Sequence, residues 1–229
     1  RATPTARCTR ARASSAKGIA MKNRIATISG AAAVAILLAG CAGGPSRSEA
    51  EYRQMALDTI KRDFQTKGQA KYERLTADEV QQACNAHANN PPSELAAKLA
   101  GAQLGTIKLP GDDKYLGDWK EGEKIAQSGR GFTWSDKASD PAGGNCYNCH
   151  QIGPNESSYG TVGPSLLGYG KTRGNSPEIQ KYTYSKIYNS KAFNLCSEMP
   201  RFGHAGALNE AQIKHLVALL LDPASPVNK

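Results

Sequence analysis

The stretch that decides the fold is CYNCH, Cys146 to His150, which lies within GGNCYNCHQIG at Gly143–Gly153. It has the form C-x-x-C-H, the attachment signature of c-type haem. Two cysteines three residues apart can each add to a vinyl group, while the histidine that follows lies beneath the iron. The covalent links keep the cofactor in a domain too small to enclose it.

Other uses of these cysteines fit the surrounding sequence less well. A zinc ribbon needs a second C-x-x-C, and the chain contains none. A thiol-redox pair belongs near a βαβ pattern, whereas the flanking segments show helical periodicity and no convincing strand pattern. A chance match is the remaining alternative. We predict one covalently attached haem c, held by Cys146 and Cys149 with His150 as an axial iron ligand.

A haem iron in an electron carrier needs a sixth ligand, commonly Met or His. The loop NLCSEMPRFGHAG, at Asn194–Gly206, contains Met199, and Pro200 would stiffen the backbone beside it. Met199 is therefore the predicted axial ligand; His204 is the rival, and Met199 as a space-filling side chain is the alternative. With both axial positions occupied, we expect no catalysis at this haem in this chain.

Charge does not indicate a nucleic-acid-binding protein. The formal net charge is +9, but residues 1–40 hold seven of the 29 basic residues and no acidic ones. The remainder has 22 basic and 20 acidic residues, a near balance. A basic pI that comes from one short segment does not indicate a nucleic-acid partner.

The N-terminal segment reads as an export signal. Residues 21–40 have a basic start and a short apolar run, which is typical of a signal peptide, and they lead into LAGC, which resembles a bacterial lipobox. We expect Cys41 to be lipidated, with cleavage after Ala42 as the alternative. Residues 1–20 are interpreted as an upstream non-native or untranslated extension, and Cys8 is discounted with them. Either cleavage predicts a periplasmic protein that can form disulfides.

The rest of the chain is predicted to be helical in two parts. Residues 41–112 form a helical N-terminal extension, and residues 113–229 form the haem domain. Capping boxes are predicted at Ser48/Glu51, Thr76/Glu79 and Asn209/Gln212. The glycine-rich stretch GTVGPSLLGYGKTRGNSP is expected to be irregular, and His215 on the last helix is expected to be solvated.

Counting cysteines leaves two without a role. Cys8 and Cys41 belong to the N-terminal segment, and Cys146 with Cys149 would become thioethers. Cys84 and Cys196 remain, and an even remainder in an oxidising compartment predicts a disulfide. The closed loop is long, so the chain-entropy argument gives about 4–5 kcal/mol of stabilisation as an upper figure. Two separate thiols are the alternative.

Several segments around these residues resemble the SoxX family, the monohaem subunits of SoxAX cytochrome complexes in sulfur-oxidising bacteria. They cover roughly residues 110–228 and are LGDWKEGEKIAQSGRGFTWSD, GGNCYNCHQI, GTVGPSLLGYG, KIYN and CSEMPRFGHAGALNEAQI…ALLLDPASPVN. The resemblance implies a mainly α fold with a class I cytochrome c-like domain. VGPSLLGYG resembles the GPxLxG loop of class I cytochromes c, which implies that the Pro164 carbonyl orients the His150 ring.

The resemblance also implies a function. The chain would be the electron-transfer subunit of a heterodimer with SoxA, an L-cysteine S-thiosulfotransferase that couples thiosulfate oxidatively to a cysteine of the carrier protein SoxYZ. Coupling would occur at the SoxA haem, and this chain would pass the released electrons to a soluble cytochrome c. The alternative from the sequence is a stand-alone electron-shuttle cytochrome c anchored at a membrane.

Overall fold

A computed structural model describes residues 47–229, which divide into two compact units after Ala56. The expectations for Cys8, for the signal peptide at 21–40 and for lipidation of Cys41 lie outside the described residues. The boundary predicted between residues 112 and 113 lies inside the second unit and stays a prediction.

The described residues form helices, turns and loops, with no strand among them beyond one isolated bridge between Lys67 and Ala70. The mainly α fold predicted from the sequence is confirmed. Within residues 47–229 there are seven α-helices, in chain order α1 Glu49–Asp63, α2 Glu79–Ala86, α3 Ser93–Leu104, α4 Trp119–Gln127, α5 Tyr169–Arg173, α6 Pro177–Tyr188 and α7 Glu210–Leu221. Short 3₁₀ turns lie at Tyr72–Leu75, Cys146–Asn148, Ser190–Ala192 and Pro226–Asn228.

Side-chain caps begin two of the helices where the sequence predicts them. Ser48 and Glu51 form the hydrogen bonds of a capping box at the start of α1, with the Ser48 N–H 2.6 Å from the Glu51 carboxylate. Asn209 and Gln212 form a complete capping box ahead of α7. Each pairing satisfies backbone N–H groups that the first turn of a helix leaves unpaired.

The predicted capping box at Thr76 and Glu79 is wrong. Asp78 caps α2 instead: its carboxylate accepts from the Gln81 N–H at 2.9 Å, and the Gln81 side chain accepts from the Asp78 N–H at 3.0 Å. Thr76 ends the preceding 3₁₀ turn. Both pairs have the spacing of a capping box, and Asp caps at least as well as Thr, so the sequence spacing could not choose between them.

Two further expectations are corrected. The glycine-rich stretch contains a short helix, α5, which begins after Gly168 in a left-handed conformation with φ +64°. His215 is half-buried rather than solvated, and its Nδ1 accepts a hydrogen bond from the Asp118 N–H at 2.8 Å. That bond joins the start of α4 to α7.

The main core is built around α7, the most apolar helix of the described chain. Seven of its residues are buried: Ile213, Leu216, Val217, Ala218, Leu219, Leu220 and Leu221. α4 packs closely against it, since a β-carbon added at Gly122 would lie 2.1 Å from the His215 carbonyl oxygen. Helices α4 and α7 together form one wall of the candidate site, and the turn that carries the cysteine pair follows α4 in the chain.

A second, smaller core lies under the first helices of the second unit. Val80, Cys84 and Leu99 are buried together, and Leu195 and Cys196 from the Met199 loop pack against them. The predicted disulfide is present: Cys84 and Cys196 are bonded at an S–S distance of 2.01 Å, across 112 residues of sequence. α2 and α3 are therefore joined to the loop that carries Met199.

None of the helices within residues 47–229 is long and apolar enough to cross a bilayer.

Candidate functional site

The cysteine pair lies on a single tight turn at residues 145–150, which we call the attachment turn after the predicted role of its sequence. The Cys149 and His150 N–H groups both bond to the Cys146 carbonyl oxygen, at 3.1 and 2.9 Å. Asn145 enters the turn with a positive φ of 48°, a conformation that Asn tolerates better than most residues. The turn brings the two sulfurs and the imidazole into one short segment of backbone.

The His150 ring is held by a backbone carbonyl. Its Nδ1 lies 2.7 Å from the Pro164 carbonyl oxygen, which is the contact that the class I cytochrome c resemblance implies. Gly163 leaves room for the ring, since a β-carbon there would lie 2.2 Å from His150 Cε1. With its proton on Nδ1, the ring presents the lone pair of Nε2, as a metal-ligating histidine does.

Met199 reaches the same region from the far end of the chain. It is half-buried and packs against the main core. The Ser190 hydroxyl donates to the Met199 carbonyl oxygen at 2.6 Å, and the Met199 N–H donates to Ser197 Oγ at 3.2 Å. The backbone of Met199 is therefore fixed at both of its polar groups.

A single apolar cleft brings the predicted ligands together. Its empty volume, including the part that is open to solvent, is about 380 Å³. Its lining residues come from the attachment turn, from the Met199 loop and from the core helices. They are Ala126, Cys146, His150, Ile152, Leu166, Ile187, Met199, Phe202, Leu216, Leu219 and Leu220.

The chemistry of this donor set fits a covalently attached haem. Burial raises the pKa of the Cys146 thiol to about 12, so this sulfur is a neutral group in apolar surroundings. That environment suits a thioether and disfavours the thiolate that zinc requires. Among residues 47–229 there is no cluster of three His, Cys, Asp or Glu side chains arranged for a metal ion. One imidazole and one thioether on an apolar cleft match the axial ligands of a low-spin haem.

The rival ligand His204 and the Cys196 sulfur, both in the Met199 loop, are separate from the cleft. Cys196 is bonded to Cys84. His204 is exposed and does not line the cleft. Of the three, only Met199 is placed to meet a group that His150 binds.

Sequence reasoning missed a polar pair behind the attachment turn. The buried Tyr147 hydroxyl donates to Glu123 of α4, with oxygen–oxygen distances of 2.8 and 3.0 Å to the two carboxylate oxygens. Burial, together with this carboxylate, raises the pKa of Tyr147. The pair ties the turn to α4, and no spacing rule in the sequence links residues 24 positions apart.

The helix order, the attachment turn after α4 and the His150–Pro164 contact define a mainly α, class I cytochrome c-like protein with a helical segment before it. No known protein-family profile matches the chain. A relative described as an uncharacterized lipoprotein, from Aquifex aeolicus (strain VF5), is 38% identical over 154 residues, which are 66% of this chain and 73% of the relative. The chain therefore belongs to the same family as that lipoprotein.

One solved structure is also similar. It is a crystal structure of SoxXA from P. pantotrophus, 28% identical in sequence, and the match covers 47% of this chain and 82% of the other. The TM-score of 0.34 is too low to carry the fold assignment, which rests on the helices and contacts described above.

Proposed function

We propose that this chain is a c-type cytochrome that serves as the electron-transfer subunit of a SoxAX-type, thiosulfate-oxidising complex. The observation that carries the electron-transfer part is the shared cleft: Cys146, His150 and Met199 line it together, and Pro164 orients the histidine. The sequence resemblance over residues 110–228 supports the more specific assignment.

Each residue has a defined role in this proposal. Cys146 and Cys149 hold the haem through thioether bonds, and Pro164 keeps the His150 proton on Nδ1. His150 would then offer Nε2 to the iron, and Met199 would offer its thioether. Haem c, when bound, supplies a one-electron couple, and a thioether ligand raises its potential, which suits an electron acceptor.

If His150 and Met199 both bind the iron, no position would remain there for a substrate. The oxidative step is therefore assigned to the SoxA partner, where thiosulfate and the thiol of a SoxYZ cysteine form an S–S bond. That step releases one proton and two electrons. This chain would take the electrons one at a time and pass them to a soluble cytochrome c.

Location forms part of the proposal. The lipobox-like LAGC sequence would place a diacylated Cys41 at the N-terminus of a periplasmic protein, anchored to the membrane surface. The description of the Aquifex relative as a lipoprotein supports this anchor.

Purification from the native host under mild conditions tests the assignment. We expect a pyridine haemochrome spectrum of haem c with one haem per chain, and co-elution of a second, haem-containing subunit. A monomer that carries haem but brings down no partner would instead support the stand-alone shuttle. A preparation without covalent haem would overturn the cytochrome assignment itself.

A further inference from the structure

The loop that presents Met199 is fastened to α2 and α3 on both sides of the methionine. Cys196, three residues before it, is bonded to Cys84 of α2. Arg201, two residues after it, forms an ion pair with Asp78, the residue that caps α2. Its guanidinium also donates to Gln103 Oε1 of α3 at 3.0 Å. We refer to Asp78, Cys84 and Gln103 as the brace.

The Asp78–Arg201 ion pair is less exposed to solvent on its arginine side than an ordinary surface pair. Only 14% of the Arg201 side chain is exposed, and it bonds to Asp78 and Gln103 at once. The two Asp78 oxygens act separately, since Oδ1 accepts from the Gln81 N–H and Oδ2 accepts from Arg201. The residue that begins α2 therefore also positions the loop.

A second path runs from α3 to the backbone of Met199 itself. Asn189 is fully buried, and its Nδ2 lies 3.1 Å from Gln103 Oε1 and 2.9 Å from Thr106 Oγ1. The next residue, Ser190, is fully buried as well and donates to the Met199 carbonyl oxygen. Gln103 thus contacts Arg201 on one path and Asn189 on the other.

A loop fixed on both sides has few conformations available to it. When an axial methionine leaves the iron, it gains conformational entropy in proportion to the freedom of its loop. Fastening the loop reduces that gain and favours the bound position of the sulfur, in the way that preorganisation favours binding. The Met199 loop is held by a covalent bond, an ion pair and the hydrogen bonds of the buried Asn189 and Ser190, none of which involves the Met199 side chain.

We propose that the brace residues Asp78, Cys84 and Gln103 are positioning residues for Met199, which hold its thioether in the cleft against competing ligands. This rests on the proposed cytochrome function and adds to it a role for the segment that precedes the haem domain. The segment would then set how firmly the sixth ligand is bound, and with it the potential of the site.

The test uses the full-length haem protein and an external ligand. Imidazole binds ferric iron only in molecules from which Met199 has dissociated, so its apparent dissociation constant reports that fraction. Three variants each break a contact between the brace and the loop, and we call them the brace variants. They are the double substitution Cys84→Ser/Cys196→Ser, Arg201→Gln, and Asp78→Asn. Asn still caps a helix, so Asp78→Asn removes the ion pair while keeping the start of α2. Glu121→Gln, in an exposed ion pair with Lys124, is the matched control.

We expect each brace variant to bind imidazole at least about tenfold more tightly than wild type. The near-infrared iron–sulfur band should weaken, and the midpoint potential should fall, because less of the iron keeps its thioether. Glu121→Gln should match wild type in all three measurements. Far-UV circular dichroism checks folding. If the double cysteine variant does not fold, the Arg201 and Asp78 variants alone test the positioning role.

The outcomes separate the two proposals. A wild-type protein with covalent haem and an iron–sulfur band, whose folded brace variants bind imidazole as weakly as wild type does, overturns the positioning role and leaves the cytochrome assignment standing. A wild-type protein without covalent haem overturns both.

Discussion

Met199 is the residue whose role the sequence alone leaves most open, because a loop methionine can fill space or bind iron. The structure puts it on the cleft that His150 also lines. A thioether is a soft, neutral donor, so it stabilises ferrous over ferric iron and raises the potential. Its role in the proposed cytochrome can be separated from general packing by spectroscopy.

Met199→Ala should abolish the near-infrared iron–sulfur band of the ferric protein and lower the midpoint potential, since the thioether is removed. The measurements are an absorption spectrum and a redox titration of the purified haem protein. Met55→Leu is the control, because Met55 lies on α1 and is 46% exposed. An unchanged band in Met199→Ala would assign the sixth position to another ligand.

At the scale of the elements, the close approach of α4 and α7 is what gives the cleft its wall. The approach depends on Gly122, where a β-carbon would lie 2.1 Å from the His215 carbonyl oxygen and 2.9 Å from Leu219 Cβ. Gly101, in α3, has no heavy atom within 4 Å of the position its β-carbon would take. A β-carbon would therefore clash at Gly122 and would meet open space at Gly101.

We expect Gly122→Ala to lower the free energy of unfolding by about 1–3 kcal/mol, the usual cost of overpacking, because one helix must move. Gly101→Ala should raise it by about 0.5–1 kcal/mol, since alanine loses less entropy in an exposed helix. Urea denaturation of both variants beside wild type measures the two changes. Destabilisation by Gly101→Ala equal to that of Gly122→Ala would show that space at α4 is not the cause.

The helices also show which contacts could be predicted from the sequence and which could not. Local pairs were predictable: Asn209/Gln212 has the spacing of a capping box, and the structure forms one. Thr76/Glu79 has the same spacing, yet Asp78 caps the helix, and its carboxylate also meets Arg201, 123 residues away. Counting cysteines predicted the disulfide that the structure contains, whereas haem attachment at C-x-x-C-H stays a prediction. The Arg201 and Asn189 contacts could not be predicted, since nothing local links them to α2 or α3.

At the scale of the whole molecule, the Asp78–Arg201 pair joins the first helices of the second unit to a loop near its end. Burial by itself would raise the pKa of Asp78, but hydrogen bonds from the Gln81 N–H and Arg201 outweigh it and hold the pKa below its ordinary value of 3.8. A carboxyl whose pKa is lowered by folding stabilises the folded state above its unfolded pKa. That stabilisation is lost as the pH falls towards the folded pKa.

Asp78→Asn should therefore be less stable than wild type at neutral pH, and the difference should shrink as the pH falls below about 4. Urea denaturation at a series of pH values measures this difference directly, so the titration of other carboxyls cancels. A difference in the free energy of unfolding that stays constant between about pH 7 and about pH 3 would contradict the role given to this carboxylate.

The disulfide bears on the order in which the sulfurs of the protein react. Among residues 47–229 there are four cysteines, and the bond joins the first to the last, Cys84 to Cys196. Four thiols allow three pairings, and because the chain is made from its N-terminus, Cys84 meets Cys146 and Cys149 before Cys196 is available. An oxidase that joins neighbouring thiols as they emerge would produce the wrong bond. With such an oxidase, the native bond would form only if the two middle sulfurs were occupied first, or if an isomerase reshuffled the early bond by thiol exchange.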